Sequence, residues 1–405
     1  MTTAAVHKDG LFSPELRATL YYFIQFMSGA VVTVYGGIWF AEQGLTASEI
    51  GILNALPVLI MLVLNVVVGR IADKANDWRT VIVIGGVLAG VLPIALFFVS
   101  GFWGILIVWT LLCLPAAAVG PVMDAATIRM TRRRGSQFGP IRAWGTVGYM
   151  VMLVVVGFII NWLGGGIFLP MFVALSLLRT VTAFQLPRFR GPENADAQQQ
   201  QQQHAGAARR LRDAMQPFFI LPLIGFSLVI ATHNMQNAFQ ALLWQEQGFS
   251  ADVIGPLLAV AAIAEATLMF TFGPIARRFP ARTLILVSAA GAVIRWILMA
   301  FEPGIGFLIP LQFFHAVTFA LGYMGCMHFI TNWTSDDIAA EAQGFFVMLQ
   351  QSMNVITLAG FGWLIGAIGS KAWFVAAAFA LVGAAMIAAS ITLHAPKQAG
   401  EPKLV

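Results

Sequence analysis

The sequence predicts an all-α membrane protein with twelve transmembrane helices in two pseudo-symmetric six-helix bundles. Three observations carry that prediction. The 405 residues are 59% hydrophobic and only 10% charged, with a mean hydropathy of +0.81, whereas soluble domains run near a quarter charged. Apolar stretches of about 20 residues, the length a helix needs to cross the hydrocarbon core, occur twelve times. They lie near 17–41, 49–70, 80–100, 103–128, 141–162, 167–186, 217–243, 252–273, 283–300, 304–331, 341–366 and 372–393. Finally, the chain repeats itself. Glu42-Gln43-Gly44-Leu45-Thr46-Ala47-Ser48-Glu49-Ile50-Gly51 recurs as Glu246-Gln247-Gly248-Phe249-Ser250-Ala251-Asp252-Val253-Ile254-Gly255, an offset of 204 residues that also carries Gly69 onto Gly273. Six-span halves of equal topology are parallel repeats about an axis along the membrane normal.

The charges give the orientation. Arg70, Lys74 and Arg79 follow span 2. Arg129, Arg132, Arg133 and Arg134 follow span 4. Arg188, Arg190, Arg209, Arg210 and Arg212 follow span 6, and Arg277, Arg278 and Arg282 follow span 8. The alternate loops hold almost no base apart from Lys371. The positive-inside rule then places both termini in the cytoplasm of a bacterial inner membrane. The loop after span 10 breaks the pattern, with Asp336, Asp337 and Glu341 and no base. The net charge of +5 is thus explained by topology, and no nucleic-acid partner is expected. Met1 to Glu15 is polar and runs straight into span 1, so no cleavable signal peptide is expected. Cys113 and Cys326 fall inside spans 4 and 10 and form neither a disulfide framework nor a metal site.

The expected domains are an N-terminal bundle over 1–186, a flexible cytoplasmic linker over 187–216 and a C-terminal bundle over 217–405. The linker carries six consecutive glutamines, Gln198 to Gln203. Such a composition cannot bury apolar area.

Several motifs resemble those of one family. Gly69-Arg70-Ile71-Ala72-Asp73-Lys74 is similar to the major facilitator signature, and Phe138-Gly139-Pro140-Ile141-Arg142-Ala143-Trp144-Gly145-Thr146-Val147-Gly148 resembles the start of span 5 in its phenylpropionate permease group, near the lactose permeases and nucleoside–proton symporters. Asp124, Glu265, Arg295, the run Gln312 to Phe319, and Ala342-Gln343 fit the same group. The resemblance implies the major facilitator fold, transport by alternating access, and gate contacts at Gly69, Asp73 and Lys74. In the second half the motif reads Gly273-Pro274-Ile275-Ala276-Arg277-Arg278 and lacks the Asp. The gate contacts are therefore expected in the first half alone.

Charges at bilayer depth cost roughly 2.5–3.5 kcal/mol on insertion scales and face a cavity or a partner. Glu265, Arg295 and His315 each lie about 11 to 13 residues into their spans, near the midplane at about 1.5 Å per residue. Burial favours a neutral carboxyl and a nearby guanidinium a charged one. The trio is therefore either a proton-coupling site or a permanent ion pair. Asp124 and Arg142 lie near one level at the ends of spans 4 and 5, as an inner gate or anion site or as a helix-end pair. His315 and His328 are 13 residues apart and cannot share a metal. His233, Asn237 and Gln240 form a stripe on span 7. Gln343, Gln350, Asn354 and Thr357 do so on span 11. Both stripes either line a pathway or bond across helix contacts. Tyr21, Gln25 and Tyr35 give span 1 a mixed aromatic and polar surface.

The expected activity is proton-coupled uptake of a small organic solute, with an aromatic acid such as 3-phenylpropionate one candidate. Glu265 is the expected proton carrier, and Arg295 and Arg142 are the expected anion or ion-pair partners. A sugar or nucleoside permease, an exporter and a non-transporting sensor are the alternatives. No nucleophile–base constellation suggests an enzyme. No GxxxxGK[ST] loop suggests ATP drive. The proton is the only expected co-substrate and no cofactor or metal is expected. The lipid bilayer is the expected surrounding partner, with a monomer favoured.

Overall fold

A computed structural model describes residues 12–189, 216–334 and 336–393. The glutamine run and most of the expected linker lie outside the described residues. So do Ser335 and the side chains of Arg70, Asp73, Asp336 and Asp337.

The described chain is helical throughout. The helices are α1 (Pro14–Glu42), α2 (Ala47–Lys74), α3 (Trp78–Val91, continued by a 3-10 turn over Leu92–Phe97), α4 (Gly101–Arg134), α5 (Phe138–Leu163) and α6 (Phe168–Phe184). There follow α7 (Pro217–Glu246), α8 (Ala251–Ala276) and α9 (Ala281–Met299), then α10 (Ile305–Trp333), α11 (Asp336–Ile368) and α12 (Ala372–Thr392). Among the described residues, eleven stretches are long and apolar enough to span a bilayer. The last of these, Glu341–Thr392, covers 52 residues. It folds as α11 and α12, divided by the turn Gly369–Lys371, where Gly369 takes φ +56°. Twelve helices therefore stand where twelve spans are expected. Several overrun the apolar stretch. The last turn of α4 carries Arg132, Arg133 and Arg134, where the helix dipole favours cations, and Gly135 closes it in the left-handed region.

The described residues form two compact units, one of residues 12–36 and 63–189, the other of residues 37–62, 216–334 and 336–393. In the first unit, Glu15 at the start of α1 accepts from Arg134 at 2.7 Å and from Ser136 at 3.2 Å. Arg79 donates to the carbonyls of Leu186, at 2.6 Å, and Phe184, and caps the end of α6. Lipid gives apolar faces little reason to associate, so small residues that admit close backbone approach hold such bundles together. A Cβ on Gly148 of α5 would lie 2.6 Å from the Phe23 carbonyl of α1. In the second unit, a Cβ on Gly225 of α7 would lie 2.6 Å from the Gly383 carbonyl of α12. The start of α2 packs against α11, where a Cβ on Gly51 would meet the Leu358 carbonyl at 2.5 Å.

The internal repeat extends to individual hydrogen bonds. Leu45 N donates to Phe40 O at 3.1 Å and Gly44 N to Ala41 O at 2.9 Å. At the same offset, Phe249 N donates to Trp244 O at 3.0 Å and Gly248 N to Gln245 O at 2.9 Å. Gly44 and Gly248 have φ of +83° and +90°, the signature of a glycine-terminated helix end. A β-carbon at such φ costs roughly 1–2 kcal/mol. Gly248→Ala should therefore lower thermal stability by that amount. Gly273→Ala, on a helix with nothing within 4 Å of its Cβ, should leave it unchanged. Thermal unfolding of both variants in detergent checks the pair.

Candidate functional site

The second unit gathers its intramembrane polar groups around one guanidinium. Arg295, on α9, is 0% exposed. Its Nη1 donates to His315 Nδ1 at 2.9 Å, Gln236 Oε1 at 3.2 Å and Thr318 Oγ1 at 3.3 Å. Its Nη2 donates to Gln312 Oε1 at 3.3 Å. Three of these partners come from α10, which is not a regular helix. Ile305–Phe313 is α, Ala316–Leu321 is π, and Gly322–Trp333 is α again. The wider π turn re-phases the helix and is a common device at functional sites. Here it lets His315 and Thr318, on either side of its start, reach the same Arg295 nitrogen.

The partners assign the tautomers. His315 Nδ1 faces a guanidinium, which can only donate, so its proton sits on Nε2. That atom lies 3.4 Å from Glu265 Oε2 of α8. His233 of α7 has Nδ1 2.9 Å from the Val229 carbonyl, so Nδ1 holds the proton and Nε2 accepts from Thr318 Oγ1 at 3.0 Å. Two donor chains thus leave Arg295, one through His315 to Glu265 and one through Thr318 to His233. Glu265 is the carboxylate of the cluster, and its side chain is 29% exposed. His315 stacks on Phe319 at 5.3 Å, and Phe319 on Tyr323 at 6.2 Å. The tryptophan next to Arg295, Trp296, donates to Thr232 at 2.9 Å and stacks on Trp373 at 5.0 Å.

The trio expected from depth therefore meets, with one difference. Arg295 does not pair directly with Glu265; His315 stands between them. Gln236, Gln312 and Thr318 complete the cluster. Gln312 and Thr318 lie three residues on either side of His315, a spacing that marks them as its face-mates on a helix. On α7 the buried set is His233, Gln236 and Gln240, while Asn237 is exposed. Both amide atoms of Gln240, Gln350 Nε2 and Asn354 Oδ1 are buried without a hydrogen-bond partner among the described residues.

A second cluster lies in the first unit. Arg142 Nε of α5 is 3.4 Å from Asp124 Oδ1 of α4, and Tyr22 of α1 donates to the same oxygen at 2.7 Å. The guanidinium lies over the rings of Phe26 at 4.3 Å and Tyr22 at 5.4 Å, a cation–π arrangement. Tyr22 and Phe26 are one turn apart on α1, and their contribution shows only once α1 is seen against α5. Tyr35 is buried with its ring 5.9 Å from Phe168. Gln25 Oε1 is buried and without a partner among the described residues. Of the expected gate residues, Gly69 has open space where a Cβ would stand and Lys74 is exposed; the side chain of Asp73 lies outside the described residues. His328 is 3.2 Å from Asn332, its neighbour one turn on, and no group of metal ligands occurs among the described residues.

With 33% and 41% of their side chains exposed, Arg142 and Asp124 form the kind of pair that contributes at most about 1 kcal/mol to stability. Asp124→Asn should therefore leave the melting temperature within about 2 °C of the parent while changing solute affinity. Parallel melting and binding measurements check both halves of that statement.

A model of the MFS_1 like family matches residues 16–380. The chain is 25% identical over 369 residues to a probable 3-phenylpropionic acid transporter of Escherichia coli (strain K12), covering 89% of this chain and 94% of that protein. It is 25% identical over 320 residues to a maltose permease of Geobacillus stearothermophilus, covering 78% and 77%. Among solved structures it is similar to the nucleoside transporter NupG, with a TM-score of 0.79 and 18% identity over 95% of this chain and 100% of that one. It is also similar to a bacterial homologue of the human lysosomal transporter Spinster, inward-facing and unoccupied, with a TM-score of 0.74 and 15% identity over 93% and 96%.

Proposed function

We propose that this chain, which belongs to the MFS_1 like family of major facilitator transporters, imports a small organic acid together with a proton. Family membership makes it a multi-pass membrane transporter and not an enzyme. One observation carries the proton reading: a fully buried guanidinium and a single carboxylate are joined through a histidine at bilayer depth. With Glu265 ionised, the cluster is neutral. With Glu265 protonated, Arg295 keeps a charge that nothing in the cluster balances, and an uncompensated charge in a low dielectric is costly. An entering carboxylate offsets that cost. Proton and anion therefore favour one another's binding, and the pair crosses without net charge. Such mutual dependence is what symport requires.

The acid reading is supported by the relative described as a 3-phenylpropionic acid transporter and by the aromatic surroundings of Arg142. A sugar or nucleoside permease is the second reading. It is favoured by the unpartnered amides Gln240, Gln350 and Asn354, which suit hydroxyl-rich solutes, and by relatives described as a maltose permease and a nucleoside transporter. The expected setting is a bacterial inner membrane with both termini cytoplasmic.

Proteoliposomes with an alkaline interior test these readings. Labelled 3-phenylpropionate should accumulate, and a protonophore should discharge it. Accumulation of maltose or uridine instead would select the second reading, and accumulation that ignores the protonophore would remove the proton.

A further inference from the structure

The first unit holds a second buried guanidinium that the proton–acid reading does not use. Arg179 of α6 is 7% exposed. Among the described residues its Nε has no hydrogen-bond partner and no carboxylate pairs with it. Tyr21 of α1 and Cys113 of α4, both neutral groups, lie within electrostatic reach of it. The backbone that carries Arg179 is fixed in rotation. Thr180 beside it donates to the Gly86 carbonyl of α3 at 2.9 Å, and a Cβ on Gly90 would lie 2.7 Å from the Ser176 carbonyl, so α3 and α6 are locked in phase.

Arg179 is not an isolated oddity. One turn from Tyr21, Cys113 and Arg179, on the same three helices, lie Gln25, Thr110 and Ser176 (positions i+4 or i−3). Gln25 Oε1, Thr110 Oγ1 and Ser176 Oγ are all buried without a partner among the described residues. Because α1 runs antiparallel to α4 and α6 in the alternating topology, these steps lead in one direction. A further turn along α6 reaches Phe172, which is 6.0 Å from Trp109 and stacked on Phe168 at 6.2 Å. From Arg179 outward the order is thus a cation, a layer of hydroxyls and an amide, then aromatic rings.

Buried polar groups are nearly always satisfied, and each exception needs an explanation. Three of these exceptions in the one three-helix wedge, Arg179 Nε and the hydroxyls of Thr110 and Ser176, are donors, one of them on a charge, and share a single explanation. Guanidinium and hydroxyl groups donate, and a carboxylate offers about four acceptor sites. We propose that Arg179, with Thr110 and Ser176, is a carboxylate-binding site of the first unit, holding the head group of the transported acid with its apolar body towards Trp109 and Phe172. A monoacid would occupy this site and the neighbourhood of Arg295 in turn; the proposal rests on the organic-acid reading but not on the proton role of Glu265.

The test is binding to the purified full chain in detergent, with 3-phenylpropionate and hexanoate as acid probes and 3-phenylpropanamide as the neutral one. Arg179→Gln should weaken both acids about 10- to 100-fold, the worth of a charge-assisted hydrogen bond, and leave the amide unchanged. Arg179→Lys should restore part of the loss. Ligand-free Arg179→Gln should melt at or above the parent, because removing a buried unpaired charge relieves its desolvation cost. Unchanged acid affinity in Arg179→Gln overturns the site, as does a lowered melting temperature with equal losses for acid and amide, which marks a purely structural arginine. A parent that binds neither acid yet accumulates maltose or uridine with protons overturns the site and the organic-acid reading, leaving proton coupling intact. Loss of acid binding in Arg179→Gln beside undiminished gradient-driven uptake in Glu265→Gln supports the site and removes the proton role of Glu265.

Discussion

Glu265→Gln is expected to abolish accumulation of solute against its gradient. Each unit of pH difference across the membrane supplies about 1.36 kcal/mol per proton, a factor of ten in concentration. With one proton per solute and a two-unit gradient, the parent should concentrate solute about 100-fold, and Glu265→Gln should return that ratio to about one. The substitution is nearly isosteric, and its amide oxygen still accepts from His315 Nε2. What it loses is the capacity to gain and release a proton. Solute exchange between equal pools needs no net proton movement, so counterflow should survive in the same vesicles. Undiminished accumulation in Glu265→Gln would falsify the assignment. Loss of counterflow as well would show that the side chain binds solute or supports the fold.

The second large effect is structural. Gly225→Val should yield no folded protein. The approach of α7 to α12 leaves 2.6 Å between a β-carbon placed at Gly225 and the Gly383 carbonyl, and the reciprocal contact from Gly383 is shorter still. The obstacle on both sides is backbone, which cannot rotate aside as a side chain can. Overpacking into side chains costs about 1–3 kcal/mol and more where the backbone must move. Valine adds three carbons here. The helix it displaces also carries His233 and Gln236, so a variant that did assemble would have the Arg295 cluster disturbed. Monodisperse yield after extraction and the melting temperature are the measurements. A Gly225→Val protein of parental yield and stability would show that the two helices are not held at this distance in solution.

Much of the fold is legible from the chain because bilayer crossing imposes so simple a rule. A long apolar run must be a helix, since no other single segment satisfies its own backbone in lipid. The repeated loops around Gly44 and Gly248 are legible for a similar reason: a glycine after a helix, at the same offset, requires the same turn. Depth alone brings Glu265, Arg295 and His315 to one level. Rotation about each helix is harder to read. The π turn of α10 shifts phase in a way that no 3.6-residue template anticipates, and with it the placing of His315 between the two charges. On α7 a difference of one residue, Gln236 rather than Asn237, decides which amide reaches Arg295. Arg179 carries a plain signal, a lone base within an apolar span. Its meaning emerges only when the unpartnered atoms of α1 and α4 are set beside it.

The direction of the hydrogen bonds around Arg295 has a consequence for charge leakage. Every bond in the chain to Glu265 is donated outward from the guanidinium. A proton could pass along it only if Arg295 gave up an N–H proton to His315 Nδ1, and a guanidinium keeps its protons. The histidine is thus an insulator rather than a wire. On the proposed coupling role, Glu265 then loads and unloads through its own exposed edge, and the residues proposed to couple do not short-circuit the bilayer.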